Sequence, residues 1–360
     1  MAKLKQNLML PKSVKKIPLL FLLLLITLLL IIGSFNYVHH DDSEEVEEAC
    51  NEKINLEICS DKMYNKNDDT LDISEKMNVI REARRIVRKH GMVMLTFMNR
   101  AFVPFLTNWM CHTRNMVNYS QVLILVTDNS VYSKITAQYP SLSVVYLSVF
   151  HKINGKQRYC SAGFMRVGIY RSRVVNWILQ ENFPVFLFEL DALWIRNPLP
   201  FVTSKKEYDL TIIPTYAKSF EAAIGFYYMR NSTRMKTFWA ELVHRLDELD
   251  TTFSCLDNTA LVRSKDNDQI VLMDLILEHY RNIVIYFLPL NRFLDGKWYT
   301  NPNLEQLKHA FILNFNFIIG IDEKIARAKQ FGQWFVAQDN VSCLSDHRKY
   351  LNPELSTKLV

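Results

Sequence analysis

The longest apolar run lies near the start of the chain, where residues 17–35 read IPLLFLLLLITLLLIIGSF without a charge. A helix crossing a bilayer core needs roughly 20 such residues, so the run predicts one transmembrane helix. From Asp41 to Asp72 large apolar groups are few and acidic and polar ones many. Such a stretch buries too little to offset the entropy of ordering, and 36–75 reads as a stem. From Lys76 onward, apolar runs of strand length alternate with helical periodicity, and this continues to Cys343.

The spacing of EKMNVIREARRIVRKH predicts a helix that Gly91 ends before a strand, MVMLTF. The same alternation then predicts a helix near 102–111, a strand QVLILVT, a helix after Asp128, a strand LSVVYLS, a long helix near 164–179 and a strand VFLF. Strands alternating with helices of about 10 to 15 residues predict parallel strands with crossovers, hence an α/β sheet covered on both faces. Ligands of open sheets bind beyond the carboxyl ends of the strands. That directs attention to Thr96 and Asn99, to Asp128, and to Glu189 with Asp191.

Charge orients the predicted membrane helix. Lys3, Lys5, Lys12, Lys15 and Lys16 precede it, and Asp41, Asp42, Glu44, Glu45, Glu47 and Glu48 follow it. Positive charge stays cytosolic, so 1–16 reads as a cytosolic tail and the chain after the helix as lumenal, in a type II topology. A cleaved signal peptide ending near Gly33 or Ser34 is the alternative reading of the same residues. The net charge of +6 includes those five lysines, and the remainder is nearly neutral, which gives no footing for a nucleic-acid partner. The basic run at 81–90 reads as the solvated face of a helix. Asn118-Tyr-Ser120, Asn231-Ser-Thr233 and Asn340-Val-Ser342 are glycosylation sequons that a lumenal location would expose. An oxidising lumen permits disulfides among Cys50, Cys59, Cys111, Cys160, Cys255 and Cys343, with the pairing left open. With no CxxC and no zinc-type spacing, a thiolate-held metal is not expected.

In FPVFLFELDALWIRNPLP, Glu189 and Asp191 stand two residues apart at the end of the VFLF strand, and extended alternation puts both on one side. Two hard oxygen ligands suit Mn²⁺ or Mg²⁺, which also takes phosphate oxygens. The bland alternative is an acidic turn that closes the strand.

The segment Glu189-Leu-Asp191-Ala-Leu-Trp194-Ile-Arg-Asn-Pro198 resembles the Asp-x-Asp-x-x-Trp-x-x-x-Pro segment of the nucleotide-diphospho-sugar transferase family of GT-A fold, which includes plant cell-wall xylosyl- and arabinosyltransferases. Further matches follow in the family's order: Gly225-Phe226-Tyr227-Tyr228-Met229-Arg230, Asp268-Gln269, the stretch 291–299 with Gly296, then Asn316, Gly320, Lys324 and Trp334. The resemblance covers roughly residues 78–335. It implies a GT-A-like mixed, mainly parallel sheet flanked by helices over 76–345, with a C-terminal tail at 346–360. It also implies a Golgi glycosyltransferase that moves a sugar from a UDP-sugar to a hydroxyl of a glycan or glycoprotein acceptor, metal-dependent and retaining.

Carried onto this chain, Asp191 would hold the metal, with Glu189 on the metal or the ribose. Thr96 and Asn99 would line the nucleotide pocket, with Gly225 also against the donor, and Arg171 would balance the charge of the acids. Gly320 and Lys324 would lie against the diphosphate. Asp268 with Gln269 would stand near the anomeric carbon, although Asp268 also reads as a plain N-cap of the apolar helix QIVLMDLIL. Three positions depart from the family pattern: Glu189 for its first Asp, Asn314 for a metal-binding His, and Ala223 for an Asn before Gly-Phe. They motivate a rival reading, a catalytically inactive lumenal binding protein of the same fold. Trp194 and Trp298 read either as sugar-stacking or as packing residues. Gly-rich phosphate loops, HExxH and Gly-x-Ser-x-Gly are absent, so NTPase, zincin and serine-hydrolase chemistries lack their motifs.

Overall fold

The computed structural model describes residues 73–148, 153, 156–215, 222–339 and 341–344. The expected anchor at 17–35, the tails and nearly all of the stem lie outside the described residues. Among those that are described, no helix is long and apolar enough to cross a membrane.

The helices are α1 (Ile73–His90), α2 (Val103–Thr113), α3 (Asn129–Gln138), α4 (Ala162–Gln180), α5 (Leu199–Thr203), α6 (Thr233–Thr252), α7 (Asp268–Leu277), α8 (Leu304–His309) and α9 (Ile321–Gln330). The strands are β1 (Val93–Met98), β2 (Val122–Val126), β3 (Ser143–Tyr146), β4 (Val185–Phe188), β5 (Ala192–Trp194), β6 (Leu210–Pro214), β7 (Ala222–Met229), β8 (Ile285–Phe287), β9 (Phe293–Leu294) and β10 (Ile312–Asn314). Every strand and helix expected between residues 75 and 188 is present, with ends moved by a few residues. The first helix starts at Ile73, slightly before the expected domain boundary at residue 76. The helix expected near 102–111 runs to Thr113 and is preceded by a short 3-10 turn, Arg100–Phe102, that Asn99 caps. In α1, Arg81, Arg85, Arg88 and Lys89 are exposed while Val79, Ala83 and Ile86 are buried, which is the solvated basic face expected.

Seven strands form one sheet in the order β3-β2-β1-β4-β7-β6-β8. β3, β2, β1 and β4 pair in parallel, as do β6 and β8, while β7 runs antiparallel to both β4 and β6. The sheet is therefore mixed and mainly parallel. Its strands read as continuous apolar runs because both faces are covered. Val93 and Leu95 of β1, and Val185 and Leu187 of β4, face a core built with α1, α4, α6 and α7. Met94, Met98, Phe186 and Phe188 face a second core built with α2, α3 and the residues of a smaller sheet.

That smaller sheet, β5-β10-β9, was not expected from the sequence. Its strands are two or three residues long, too short to carry a period. It takes the chain out of the main sheet directly after the acidic turn: β5 pairs antiparallel with β10, matching Ala192 with Asn314. Trp194 within it is fully buried against Trp109, Phe186 and Phe188. Trp298 is also buried and donates Nε1–H to the Asn303 carbonyl. Both tryptophans pack, which removes them as sugar platforms. A disulfide joins Cys111 in α2 to Cys343, and Cys160 and Cys255 are disulfide-bonded as well.

Candidate active site

The carboxyl ends of β1, β2 and β4 and the start of the antiparallel β7 share one edge of the sheet, and most of the expected site residues gather there. Alternation along β4 carries Glu189 to the face covered by α4 and α7. There the Arg171 guanidinium of α4 donates to Glu189 Oε1 at 3.1 Å and to Asp268 Oδ2, at the start of α7, at 2.8 Å. One cation thus ties two acids that lie far apart in sequence. Burial works against the Arg171 charge, and Asp268 and Glu189 more than restore it, so its pKa stands above the ordinary arginine value. The Glu189 carboxyl is pushed above the usual carboxylate range by its desolvation and by neighbouring Asp191, with Arg171 and Lys324 opposing.

The extended alternation ends with β4, so the two acids of the turn meet different layers. Asp191 Oδ2 accepts from Lys324 Nζ of α9 at 2.6 Å, and this acid holds the lysine above its ordinary pKa in spite of burial. The Phe315 amide donates to the Asp191 carbonyl at 2.9 Å, which brings neighbouring Asn314 alongside the turn. Gly320 has φ +105°, a conformation that favours glycine, and its carbonyl accepts from the Lys324 amide at 3.2 Å, opening the helix that carries the lysine. Asn316, four residues earlier, accepts from the Gly296 amide through Oδ1, joining two further points of the family pattern.

Gly225 lies opposite Glu189, one step beyond the Phe188–Phe226 pair of the β4–β7 ladder. A Cβ built on Gly225 would stand 2.5 Å from Glu189 Cδ, so a side chain there would push the carboxylate out of place. Gln269 Oε1 accepts from the Ile224 amide at 3.4 Å, linking α7 to the same strand.

Asp268 is not a helix cap. Asn267 holds that position and accepts the Ile270 amide through its side chain at 3.0 Å, leaving Asp268 as the first helical residue with its carboxylate on Arg171. Thr96 also departs from expectation, because it lies inside β1 opposite Ile124, 1% exposed, rather than at the open strand end. Asn99 does stand just past β1, with its side chain accepting the Ala101 amide at 3.0 Å. Asp128 caps α3 and pairs with Arg100 at 2.9 Å, which accounts for its charge structurally. Among the sequons, Asn118 and Asn231 are exposed, and Asn340 lies outside the described residues.

Among the described residues no group of three or more His, Cys, Asp and Glu side chains could hold a metal. The oxygen set nonetheless suits a hard cation that is completed by phosphate. Asp191 Oδ1 and Asn314 Oδ1 are both buried and accept no hydrogen bond within the structure. A buried polar atom left so costs about 1–3 kcal/mol unless a ligand meets it, and one or two carboxylates plus substrate phosphates are what Mg²⁺ ordinarily takes. The amide at Asn314 keeps an oxygen donor where the family pattern has histidine.

Sequence reasoning missed one residue of this cluster, Gly168 on α4, one turn before Arg171. Its signal was a lone glycine inside a helical pattern, which costs about 1 kcal/mol relative to alanine and calls for a packing reason.

Comparison with known proteins gives the arrangement a family. The model of the nucleotide-diphospho-sugar transferases matches residues 117–328, more than half the chain, and so takes in all the clustered residues. Thr96 and Asn99 precede the matched span. A UDP-D-xylose:L-fucose alpha-1,3-D-xylosyltransferase of Arabidopsis thaliana, MGP4, is 22% identical over 274 residues, covering 71% of this chain and 73% of its own length. The beta-arabinofuranosyltransferase RAY1 of the same plant is 23% identical, covering 69% of this chain and 48% of its own. Mouse xyloside xylosyltransferase 1 in its apo form superposes with a TM-score of 0.40 at 11% identity, over 62% of this chain and 97% of that one. The chain belongs to the nucleotide-diphospho-sugar transferase family and is a glycosyltransferase that draws its sugar from a nucleotide-sugar donor.

Proposed function

We propose that this chain transfers a sugar from a UDP-sugar to a hydroxyl of a glycan or glycoprotein, with Mn²⁺ or Mg²⁺ and with retention of anomeric configuration. The observation that carries the reading is the meeting of three carboxylates and two cations at the sheet edge, with one Asp191 oxygen buried and left without a donor. Asp191 and Asn314 would hold the ion, which supplies positive charge to the leaving diphosphate. Lys324, already at Asp191, adds a second positive charge where the nucleotide's negative charge develops. Arg171 holds Asp268 on one side and Glu189 on the other. Asp268 then faces the positive charge that builds on the sugar, with Gln269 beside it. The Arabidopsis relative named above uses UDP-D-xylose, which puts that donor at the head of a test panel.

The location belongs to the same proposal: a single-pass type II protein of the Golgi membrane, anchored over 17–35, with a stem at 36–75 and the catalytic domain at 76–345 in the lumen. The step from lysines to acids across the apolar run and the exposed Asn118 and Asn231 support it. Protease added to sealed microsomes should spare the chain beyond residue 35, and digestion of that part would refute the topology.

The test of function is donor hydrolysis by the full chain in detergent, against a panel of UDP- and GDP-sugars with Mn²⁺. Turnover of one donor, abolished by EDTA, is expected. UDP binding without turnover of any donor would replace transfer by the binding-only reading, and turnover unaffected by EDTA would remove the metal.

A further inference from the structure

We propose that Gly168 and Arg171, one turn apart on α4, form a positioning clamp that sets where the Asp268 carboxylate stands, Gly168 by admitting it to the helix surface and Arg171 by tying it to Glu189. The inference rests on the transferase reading for its catalytic consequence, but the clamp itself is a matter of geometry.

The first observation is a glycine with no local reason to be one. Gly168 is buried in the middle of α4, a 19-residue helix, where glycine is less favourable than alanine by about 1 kcal/mol. Its φ is not in the left-handed region, since only Gly91, Gly320 and Gly332 are recorded there among the described glycines. Nothing in the backbone asks for it. Space does: a Cβ at Gly168 would lie 2.7 Å from Asp268 Cγ, 2.7 Å from Oδ2 and 2.8 Å from Oδ1. All three outer atoms of the carboxylate rest on the bare backbone of this one residue.

The second observation is what holds the carboxylate from the other side. Arg171 donates to Asp268 Oδ2 at 2.8 Å and to Glu189 Oε1 at 3.1 Å. Residues three apart on a helix share a face, so floor and clasp belong to one rigid element. The Asp268 side chain is 11% exposed and is held by Arg171 at 2.8 Å, so a carboxylate pushed off the surface of α4 moves at the expense of that bond. A methyl group at residue 168 therefore displaces the carboxylate and loosens the link to Glu189 on β4. Gly225 repeats the device from the sheet side, since its missing side chain makes the room in which Glu189 sits.

The position of a charged group, not only its presence, governs its effect on a reacting centre, and a displacement of about 1 Å can cost on the order of 100-fold in rate. Gly168 is thus a positioning residue: it touches no substrate and acts through Asp268.

A four-protein cycle tests this on the full chain: wild type, Gly168→Ala, Asp268→Ala and the double variant, each read by melting temperature and by hydrolysis of the best donor from the panel. In the wild-type background Gly168→Ala should lower kcat by about 100-fold with donor KM within about threefold. In the Asp268→Ala background the extra methyl meets no carboxylate, so it should leave kcat unchanged and raise the melting temperature through helix propensity. Arg171→Lys, which keeps the charge and loses the two-armed donor, should lower kcat in the same way. Equal melting shifts for Gly168→Ala in the two backgrounds would overturn the clamp, and so would a Gly168→Ala variant with wild-type kcat. If the wild type hydrolyses no donor, the transferase reading falls, and the melting cycle alone still decides whether the clamp exists.

Discussion

Replacing Arg171 by methionine removes the charge that two acids share while keeping much of the stem's volume. A hydrogen bond to a charged partner contributes about 1.5–3 kcal/mol, and the Arg171–Asp268 bond, with side chains 13% and 11% exposed, belongs near the upper end of that range. The bond to Glu189 is discounted to about 1 kcal/mol or less, since 39% of that side chain is open to solvent. Together the loss is about 3–4 kcal/mol, in line with the cost of removing one partner from a buried ion pair. For a domain of this size that corresponds to a fall of about 5–7 °C in melting temperature at pH 7.

The pH dependence of that loss is fixed in sign. Glu189 already has a pKa above the ordinary carboxylate value, so the folded state holds its proton more tightly than the unfolded one. Without Arg171 the opposing positive charge is lost and the Glu189 pKa rises further. Protonation then relieves the variant more than the wild type as the pH falls from the raised Glu189 value toward the unfolded carboxylate range of about 4. The gap between the two melting temperatures should be widest at neutral pH and narrower at pH 5. The assay is a set of melting curves of both proteins from pH 5 to 8. A gap below about 2 °C at pH 7, or one that widens on acidification, would refute the reasoning.

Asp191→Asn should abolish Mn²⁺-dependent UDP binding, measured by calorimetry with and without EDTA, because the amide loses the charge that draws the cation, whereas Asn314→His should preserve or strengthen it by supplying the family's ligand type. Asp268→Asn should lower kcat and kcat/KM together by about 100-fold. The same substitution should also lower the melting temperature, because the carboxylate is an ion-pair partner of Arg171 and not a helix cap. Reducing the link between Cys111 and Cys343, or replacing both by serine, should destabilise the domain by at most about 5.5 kcal/mol, the loop-entropy ceiling for residues 232 apart, as read by urea denaturation.

The elements from α1 to β4 were legible because each carries its own period: VLILV in β2 and VFLF in β4 are unbroken apolar runs, and α1 alternates buried and charged positions over five turns. The insertion of β7 against the direction of its neighbours was not, since strand direction is set by partners such as Leu187 and Tyr227 that are distant in sequence. The small sheet escaped for lack of length. In the site, Glu189 and Asp191 were legible by their place after a buried strand. The Arg171–Asp268 bond spans 97 residues, and no local pattern encodes it. The cap at the start of α7 was misread by one residue because Asn267 and Asp268 are both good capping types, and helix ends are uncertain by that much from pattern alone.

The reversed strand β7 also bears on how the chain is made. Until residues 222–229 leave the ribosome, β4 has a partner on one side only, and the apolar run that leads into Glu189 is a bare edge able to pair with another chain. β6, made earlier, cannot cover it, because β7 lies between the two in the sheet. A chain stopped after β6 therefore displays β4 as a bare edge, and one stopped after β7 covers β4 and leaves the open edge at β6, which β8 later closes. Nascent chains released at residue 215 should therefore aggregate more readily than those released at residue 232, a difference that sedimentation of the two truncated products would read directly.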